Sequence, residues 1–357
     1  SWLFAAGDES MSSIDVNNAP AAEWTHGDQD LGPLAWVLDE LRKSLGGAVK
    51  SMRRFVRDAE QAQESDLASL DAGSLRIARQ QLHQASGALE MVGMGPTALV
   101  LRAMESAVQK FVQRPELCTD DAAATIERAS FALIEYLEAV LNNRPVQAVA
   151  LFPQYREVQE LAGAERVHPA DLWTFEHRGT NVPPPKDTKP QTANATLRSM
   201  FDRLVLLVVK TQSSAAALQL AKLSAGLSAG ATDARARTFW RVSAGYFEAV
   251  AHRLLPPDVF VKRATSRILL QFVNLAQGKP QVSETLLHDL LFFCAQPAEV
   301  SAATTPHLAA VRETFGLGKL PPVDYHQATL GRYDPAVLAQ ARKRIHAAKE
   351  VWSLYSG

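Results

Sequence analysis

Apolar residues recur along most of the chain at alternating steps of three and four, which is the spacing of amphipathic α-helices. Between residues 31 and 145 four such stripes follow one another and are joined by short turns. This pattern predicts an up-down four-helix bundle over residues 31–145. The stripes are Leu34, Leu38, Leu41, Leu45, Val49, Met52 and Val56; Leu75, Ala78, Leu82, Ala85, Leu89 and Val92; Leu101, Met104, Val108 and Phe111; and Ile126, Ala129, Leu133, Leu137 and Val140.

Turn signals separate the second and third of these helices. Gly93 stands where a helix commonly ends on a left-handed residue, and Gly95 is followed by Pro96, which suits the first turn of the next helix. The two helices are therefore expected to form a short antiparallel hairpin. Thr119 precedes two aspartates and predicts the N-cap of the fourth helix.

The rest of the chain divides into three further segments. Residues 1–30 are polar and aperiodic and predict a flexible N-terminal arm. Residues 146–192 are interrupted by prolines, including a run at 183–185, and predict an irregular segment and a Pro-rich linker. Residues 193–357 return to helical periodicity and predict a second helical domain. Because strand alternation is hardly visible, the expected fold class is all-α. Helices of the second domain are expected to begin near Thr196, Thr232, Pro257, Ser283 and Asp334.

The composition narrows the class of protein. The 357 residues are 47% apolar and 21% charged, with a formal net charge of −1 at pH 7. Such a globular chain is long enough for two domains and has no general attraction for nucleic acid or anionic lipid. Cys118 and Cys294 lie outside any CxxC spacing, so no disulfide framework, metal site or cofactor is expected. No apolar run reaches the length of about eighteen residues needed to span a bilayer, and a cytoplasmic location is expected.

His83 is the candidate for chemistry. It follows the buried position Leu82 by one residue, a rotation of about 100° that leaves its ring at the edge of the interface with one side in water. Gly87, four residues later, removes a side chain beside the ring at a helix cost of about 1 kcal/mol relative to alanine, which suggests close approach of a partner. Arg79 and Ser86 share this flank.

Glu105 is expected to meet His83 across the hairpin. His83 lies ten residues before Gly93 and Glu105 lies ten after Gly95, so each is about 15 Å from the turn. A carboxylate on one imidazole nitrogen fixes the tautomer and leaves the lone pair of the other nitrogen free to attack phosphorus. The alternative is an ordinary histidine at the edge of the core beside a solvated acid.

The segment from His83 to Gly93 resembles the histidine phosphotransfer (Hpt) motif, His-x-x-Lys-Gly-Ser/Ala with a further glycine ten residues after the histidine. Ser86 stands where the motif has lysine. The segment ending at Glu105 is similar to the Leu-x-His-x-x-Glu element of CheA-type chemotaxis kinases, with Arg102 in place of its histidine. In these two motifs and in five further segments, the chain resembles the amino-terminal region of ChpA/PilL-type hybrid sensor histidine kinases, which control type IV pilus twitching motility. The segments are residues 151–155, 239–241, 245–247, 290–294 and 331–335.

This resemblance implies that His83 accepts a phosphoryl group from a CheA-like kinase catalytic domain and passes it to the aspartate of a response-regulator receiver domain. Glu105 would orient the imidazole, and Gly87 would clear the docking surface. Recruitment to a polar chemosensory array is also implied. Nothing in the sequence resembles the ATP site of a histidine kinase, so the kinase is expected elsewhere.

The serine at position 86 leaves the phosphate contacts open. Charge-assisted contacts to phosphate are about twice as strong as neutral ones, and serine offers no charge. Ser86, Arg79 and Arg102 are the candidate contacts, and without them His83 would be a slow acceptor or none. The alternative function is a phosphate-free pseudo-Hpt scaffold that binds kinase, adaptor or polar-localisation partners.

The second domain resembles a degenerate copy of the Hpt bundle. Arg241 stands four residues before Gly245, where the motif would have histidine, so a structural or partner-binding role is expected there. Residues 226–230 match the G-x-S-x-G string of serine hydrolases, which gives a third alternative that uses Ser228. Their position after a helical run disfavours it, since that motif acts on a strand-to-helix turn. The histidines other than His83 lack metal-ligand spacing.

Overall fold

The computed structural model describes residues 31–62, 71–177, 179–183 and 185–356. The arm expected over residues 1–30 lies outside these described residues. The described part of the chain forms twelve α-helices and no strand, which confirms the all-α expectation.

The first bundle contains the four helices expected from the sequence. Helix α2 packs between α1 and α3, and α4 packs against α1. The residues of the predicted stripes are buried except Val49 and Val92, which are half-buried, because each helix turns its apolar face to the others. The helices are α1 (Gly32–Gln61), α2 (Gly73–Met91), α3 (Gly95–Gln113) and α4 (Asp120–Leu141).

The turn between α2 and α3 has the predicted form. Gly93 adopts a φ of 77°, and the N–H of Met94 donates to the carbonyl of Leu89 at 3.0 Å. Pro96 lies in the first turn of α3. At the start of α4, Thr119 Oγ1 accepts the N–H of Ala122 at 3.1 Å, as expected for its N-cap. These local signals set the register of the α2–α3 hairpin.

The segment expected to be irregular contains a fifth helix, α5 (Phe152–Ala162), which packs against α3 and α4. Pro153 lies in its first turn, and Gly163 follows its end with a φ of 70°. Phe152, Tyr155 and Val158 are buried. The helix is short and lies between prolines, so its apolar stripe is not separable from the irregular sequence around it. Short 3₁₀ turns flank it at Ala148–Leu151 and Pro169–Leu172.

The second half contains seven helices, and five of them begin within two residues of the predicted starts. The two that the sequence did not predict are α7 and α11. Helix α7 is rich in alanine and has no clear polar face, and α11 is short and follows an irregular stretch. Helix α8 is the central one, buried by α7, α10 and α11. The helices are α6 (Ala195–Thr211), α7 (Ser214–Gly230), α8 (Ala234–Ala251), α9 (Val259–Ala276), α10 (Glu284–Ala295), α11 (Pro306–Phe315) and α12 (Pro335–Ser356).

The two halves share one core. Phe152 of α5 meets the ring of Phe260 on α9, with ring centroids 5.4 Å apart. The segment before α12 then returns to the first bundle, where the N–H of Gly331 donates to Glu135 Oε2 at 2.9 Å. A β-carbon at Gly331 would come within 2.8 Å of Ala132, so only glycine allows this approach.

Helix α12 lies apart from this core. Of its side chains only Pro335 is buried, and the apolar residues from Val337 to Tyr355 face outward. Within the described residues, none of the helices has both the length and the apolar character needed to cross a bilayer.

Candidate functional site

The structure brings His83 and Glu105 together. Nδ1 of His83 lies 2.9 Å from Oε1 of Glu105 across the α2–α3 hairpin. Their neighbours Leu82 and Met104 are fully buried, and these anchors hold the two helices at the register that the pair requires. The side chain of His83 is 73% exposed, whereas that of Glu105 is 25% exposed. The imidazole is therefore open to a partner while its acid is partly covered.

The contact assigns different tasks to the two ring nitrogens. A carboxylate at Nδ1 favours the tautomer with its proton there, because that N–H can donate to Oε1. Nε2 of His83 makes no hydrogen bond to any residue that the structure describes. The lone pair of Nε2 is then available for nucleophilic attack from the solvent side.

Both candidate arginines lie beside the pair, and both have partners. Arg79 donates from Nη1 to Oε1 of Gln109 at 2.5 Å. Arg102 forms an ion pair with Glu90 on the facing helix. Contact with an incoming phosphate would require either guanidinium to exchange its present partner or to add a second one.

Ser86 is a correction to the sequence-based placement. Its side chain is only 5% exposed, and its Oγ donates to the carbonyl of His83 at 2.9 Å. At four residues from Leu82, it is rotated by only about 40° from that core position. The small hydroxyl is covered by the hairpin and bonded within its own helix, so Ser86 does not face the phosphate position.

The space around Gly87 is open. A β-carbon at this position would meet nothing within 4 Å. No described part of the chain therefore requires glycine here for packing. Gly87 lies one helical turn after His83 on α2.

His83, Glu105 and the two arginines line one shallow groove of about 610 Å³ between α2 and α3, whereas Ser86 and Gly87 do not line it. It holds two cationic groups, one carboxylate and one exposed imidazole. Such a set can orient an imidazole and offset negative charge on a group bound to it. The lining residues are Arg79, Gln80, His83, Arg102, Glu105, Ser106 and Gln109.

The corresponding surface in the second half is covered. Arg241 on α8 is 9% exposed and its guanidinium contacts the ring of His307 on α11. A β-carbon at Gly245 would lie 3.2 Å from Cα of Leu308 and 3.2 Å from Val311 Cγ2. Gly245 therefore allows α11 to pack directly on α8, and no partner can approach this face while α11 is in place.

Sequence reasoning missed Glu248, which is buried beneath the start of α11. Its Oε1 accepts the N–H of His307 at 2.7 Å, so it caps that helix. Burial raises the pKa of Glu248 to about 7, and burial lowers the pKa of His307 to about 4. Glu248 stands seven residues after Arg241, two turns along the same face, and this spacing is the only signal that could have indicated it.

The remaining candidate residues are buried and present no reactive group to solvent. Ser228 lies inside α7, is fully buried, and donates from Oγ to the carbonyl of Arg237 at 2.8 Å, which does not fit the serine of a hydrolase turn. Cys118 and Cys294 are free and buried thiols, and burial raises the pKa of each. Among the described residues, no group of three or more potential ligands could hold a metal ion.

Comparison with known families gives one match. Residues 186–328 match the model of the second domain of the FimL scaffold protein. This match supports a relation between the chain and the type IV pilus chemosensory system, and it does not point specifically to a ChpA/PilL-type kinase. It lies within the second half of the chain and does not include His83. A search of curated proteins and a search of solved structures gave no match.

Proposed function

We propose that this protein is a scaffold in a type IV pilus chemosensory system that binds other signalling proteins and carries no phosphate. The observation that supports this function best is the match of residues 186–328 to the second domain of a scaffold protein. Kinase, adaptor and polar-localisation proteins are the partner classes to test.

The surroundings of Arg241 and Gly245 argue against phosphoryl transfer in the second half. An arginine cannot accept a phosphoryl group in the way a histidine does, and here it is enclosed by α11. The helix that resembles a phosphotransfer helix serves as the centre of the core, with its bulky side chains packed inward.

Capture of purified partners by the full chain tests the scaffold. The immobilised protein is presented in turn with the kinase core, the receiver domains and the adaptor proteins of its own chemosensory system. We expect at least one to bind with an affinity that the His83→Gln variant preserves within about twofold, a difference below ~0.5 kcal/mol. Failure of all of them to bind, or loss of binding in that variant, would contradict a phosphate-free scaffold.

A second candidate function is phosphoryl transfer through His83, and the 2.9 Å contact with Glu105 favours it. In this reaction Nε2 of His83 forms a bond to the γ-phosphorus of ATP held by the separate kinase domain, and the bond to the leaving ADP breaks. Glu105 offsets the positive charge that the imidazole gains. The phosphoryl group then passes to a receiver aspartate, which restores the free imidazole.

Slow transfer is expected, because Ser86 stands where the phosphotransfer motif has lysine and both nearby arginines already have partners. The full chain would be incubated with the kinase core and labelled ATP. Acid-labile label that is lost in His83→Gln and retained in His346→Gln, an exposed histidine on α12, would support the transfer. No label in the wild type, under conditions in which the kinase labels its own phosphotransfer domain, would rule out the transfer. The scaffold would then remain as the proposed function.

A further inference from the structure

A second cavity lies in the other half of the molecule, where the ends of α6 and α8 meet the start of α9. Its volume is about 410 Å³, within the range of sites for small ligands. Most of its wall is aliphatic. The apolar wall residues include Val208, Val209, Val250, Leu254, Leu255 and Val261.

The polar groups of the cavity are arranged unevenly. On its inner side, Oγ1 of Thr265 is already hydrogen-bonded to Oη of Tyr246 at 2.9 Å. The charged groups that line the cavity are Arg253 and Lys262, both exposed and neither in an ion pair with any residue that the structure describes. No aspartate or glutamate lines it. The cavity therefore combines an apolar interior with two cations that have no counter-charge of their own.

The backbone at the cavity is unusual as well. Gln212 and Arg253 both have a φ of 54°, in the left-handed region. Gln212 directly follows α6, and Arg253 is the second residue after α8. They are two of the four non-glycine residues with positive φ in the described part of the chain, and both line this cavity. At Arg253 the next residue, Leu254, donates its N–H to the carbonyl of Ala249 at 2.9 Å, the closing bond of a helix end at which glycine is usual.

Glycine would adopt the backbone conformation of Arg253 with less strain. We therefore infer that the arginine side chain makes an interaction that offsets this strain. The strain is found at the mouth of an apolar cavity, beside a second unpaired cation. Chain packing alone explains neither the choice of residue nor the absence of a carboxylate partner.

We propose that this cavity binds a small amphipathic anion. Its apolar tail lies against the aliphatic wall, and its carboxylate or phosphate head lies between the guanidinium of Arg253 and the ammonium of Lys262. An anionic head group gains charge-assisted contacts to both cations, whereas a neutral head group of the same size does not. This site is separate from the His83 groove and does not depend on the scaffold function.

Calorimetric titration of the full chain with octanoate tests the site, with 1-octanol as the neutral probe of the same tail. We expect octanoate to bind with one-to-one stoichiometry and 1-octanol to bind at least tenfold more weakly. Butyrate, which keeps the head and lacks most of the tail, is also expected to bind at least tenfold more weakly. Equal binding of octanoate and 1-octanol, or no binding of octanoate at millimolar concentration, would overturn the proposal.

The Arg253→Gly variant separates ligand binding from folding. Glycine adopts the left-handed conformation freely, so the melting temperature should stay the same or rise, while octanoate affinity falls at least tenfold. Lys262→Gln should also weaken octanoate, and Lys222→Gln, an exposed lysine away from the cavity, should not. Unchanged affinity in Arg253→Gly, or a lower melting temperature, would assign the arginine a structural role and reject the site.

Two further measurements separate the cavity proposal from membrane binding and from the scaffold function. Vesicles of phosphatidylglycerol test whether the anion comes from a bilayer, and binding to vesicles without binding to free octanoate would reject the small-molecule site. Partner capture by Arg253→Gly should remain at the wild-type level. Failure of the wild type to capture any partner, with octanoate binding intact, would count against the scaffold and leave the cavity proposal standing.

Discussion

Helices α2 and α8 carry the same four-residue spacing in opposite surroundings. On α2, His83 is 73% exposed and the space above Gly87 is open. On α8, Arg241 is 9% exposed and Gly245 is in contact with α11. A glycine four residues after a polar residue can thus leave room for a partner protein or for a helix of the same chain. What packs on the flank decides between the two, and that information lies far away in the sequence.

The largest difference is expected between Arg241→Ala and His83→Ala. Removing the buried arginine leaves a cavity beneath α11 and leaves the ring of His307 without its hydrogen-bond partner, which together should cost about 3–5 kcal/mol. His83→Ala removes an exposed side chain and should change stability by no more than about 0.5 kcal/mol. Urea unfolding of the two variants and the wild type measures this. Similar losses for both would show that the two faces are equally structural.

Gly245→Leu is expected to have the next largest effect. The new side chain must push against the backbone of α11, and overpacking of this kind costs about 1–3 kcal/mol. Gly226→Leu, at a glycine of α7 that lies against a neighbouring segment, serves as a control for helix contacts outside this face. Thermal unfolding would give the comparison. A Gly245→Leu protein as stable as the wild type would mean that α11 is easily displaced from α8.

The pH dependence of stability should reveal Glu248. Its pKa is raised to about 7 in the folded protein, so the native state binds more protons than the unfolded state between about pH 4.5 and pH 7. The contribution of Glu248 therefore falls as pH rises through this window. His307, with a lowered pKa, gives the opposite slope between about pH 4 and pH 6.5.

Replacing the acid with an amide isolates its share of this dependence. In Glu248→Gln the contribution of Glu248 is removed, so the stability of the variant relative to the wild type should rise by about 2–3 kcal/mol from pH 4.5 to pH 7. Urea unfolding at several pH values measures the difference. A constant difference across the window would place the titration of Glu248 elsewhere.

The smallest effect is expected at Gly87, and it has the opposite sign. Gly87→Ala should stabilise the protein by about 0.5–1 kcal/mol, since alanine is the better helix former and its β-carbon meets nothing. If a partner docks on this flank, the same variant should weaken that partner's binding. A loss of stability in Gly87→Ala would contradict the open space around Gly87.

The sequence predicted what local spacing controls. The four stripes of the first bundle, the turn at Gly93 and the meeting of His83 with Glu105 all follow from helical period and turn chemistry over short distances. The burial of Ser86 could not be predicted in this way. A rotation of about 40° from Leu82 places a small side chain at the boundary of the core, where it can be exposed to solvent or covered by the neighbouring helix.

The covering of α8 by α11 could not be predicted either. It depends on contacts between Gly245 and residues more than sixty positions later. The aromatic residues near Gly245, such as Trp240 and Phe247, indicate a helix that is buried on most sides, but they do not indicate which helix covers it. Helix α5 was missed for a related reason, since its burial comes from α3, α4 and the aromatic residues of the second half.

The contact of Gly331 with the first bundle has a consequence for how the molecule is assembled. The bond from Gly331 to Glu135 joins residues 196 positions apart. During synthesis, the surface of α4 around Glu135 stays exposed to solvent until residue 331 has left the ribosome and has packed against it. Long-range closure of this kind is slow, so we infer that the docking of residue 331 is among the last events of folding.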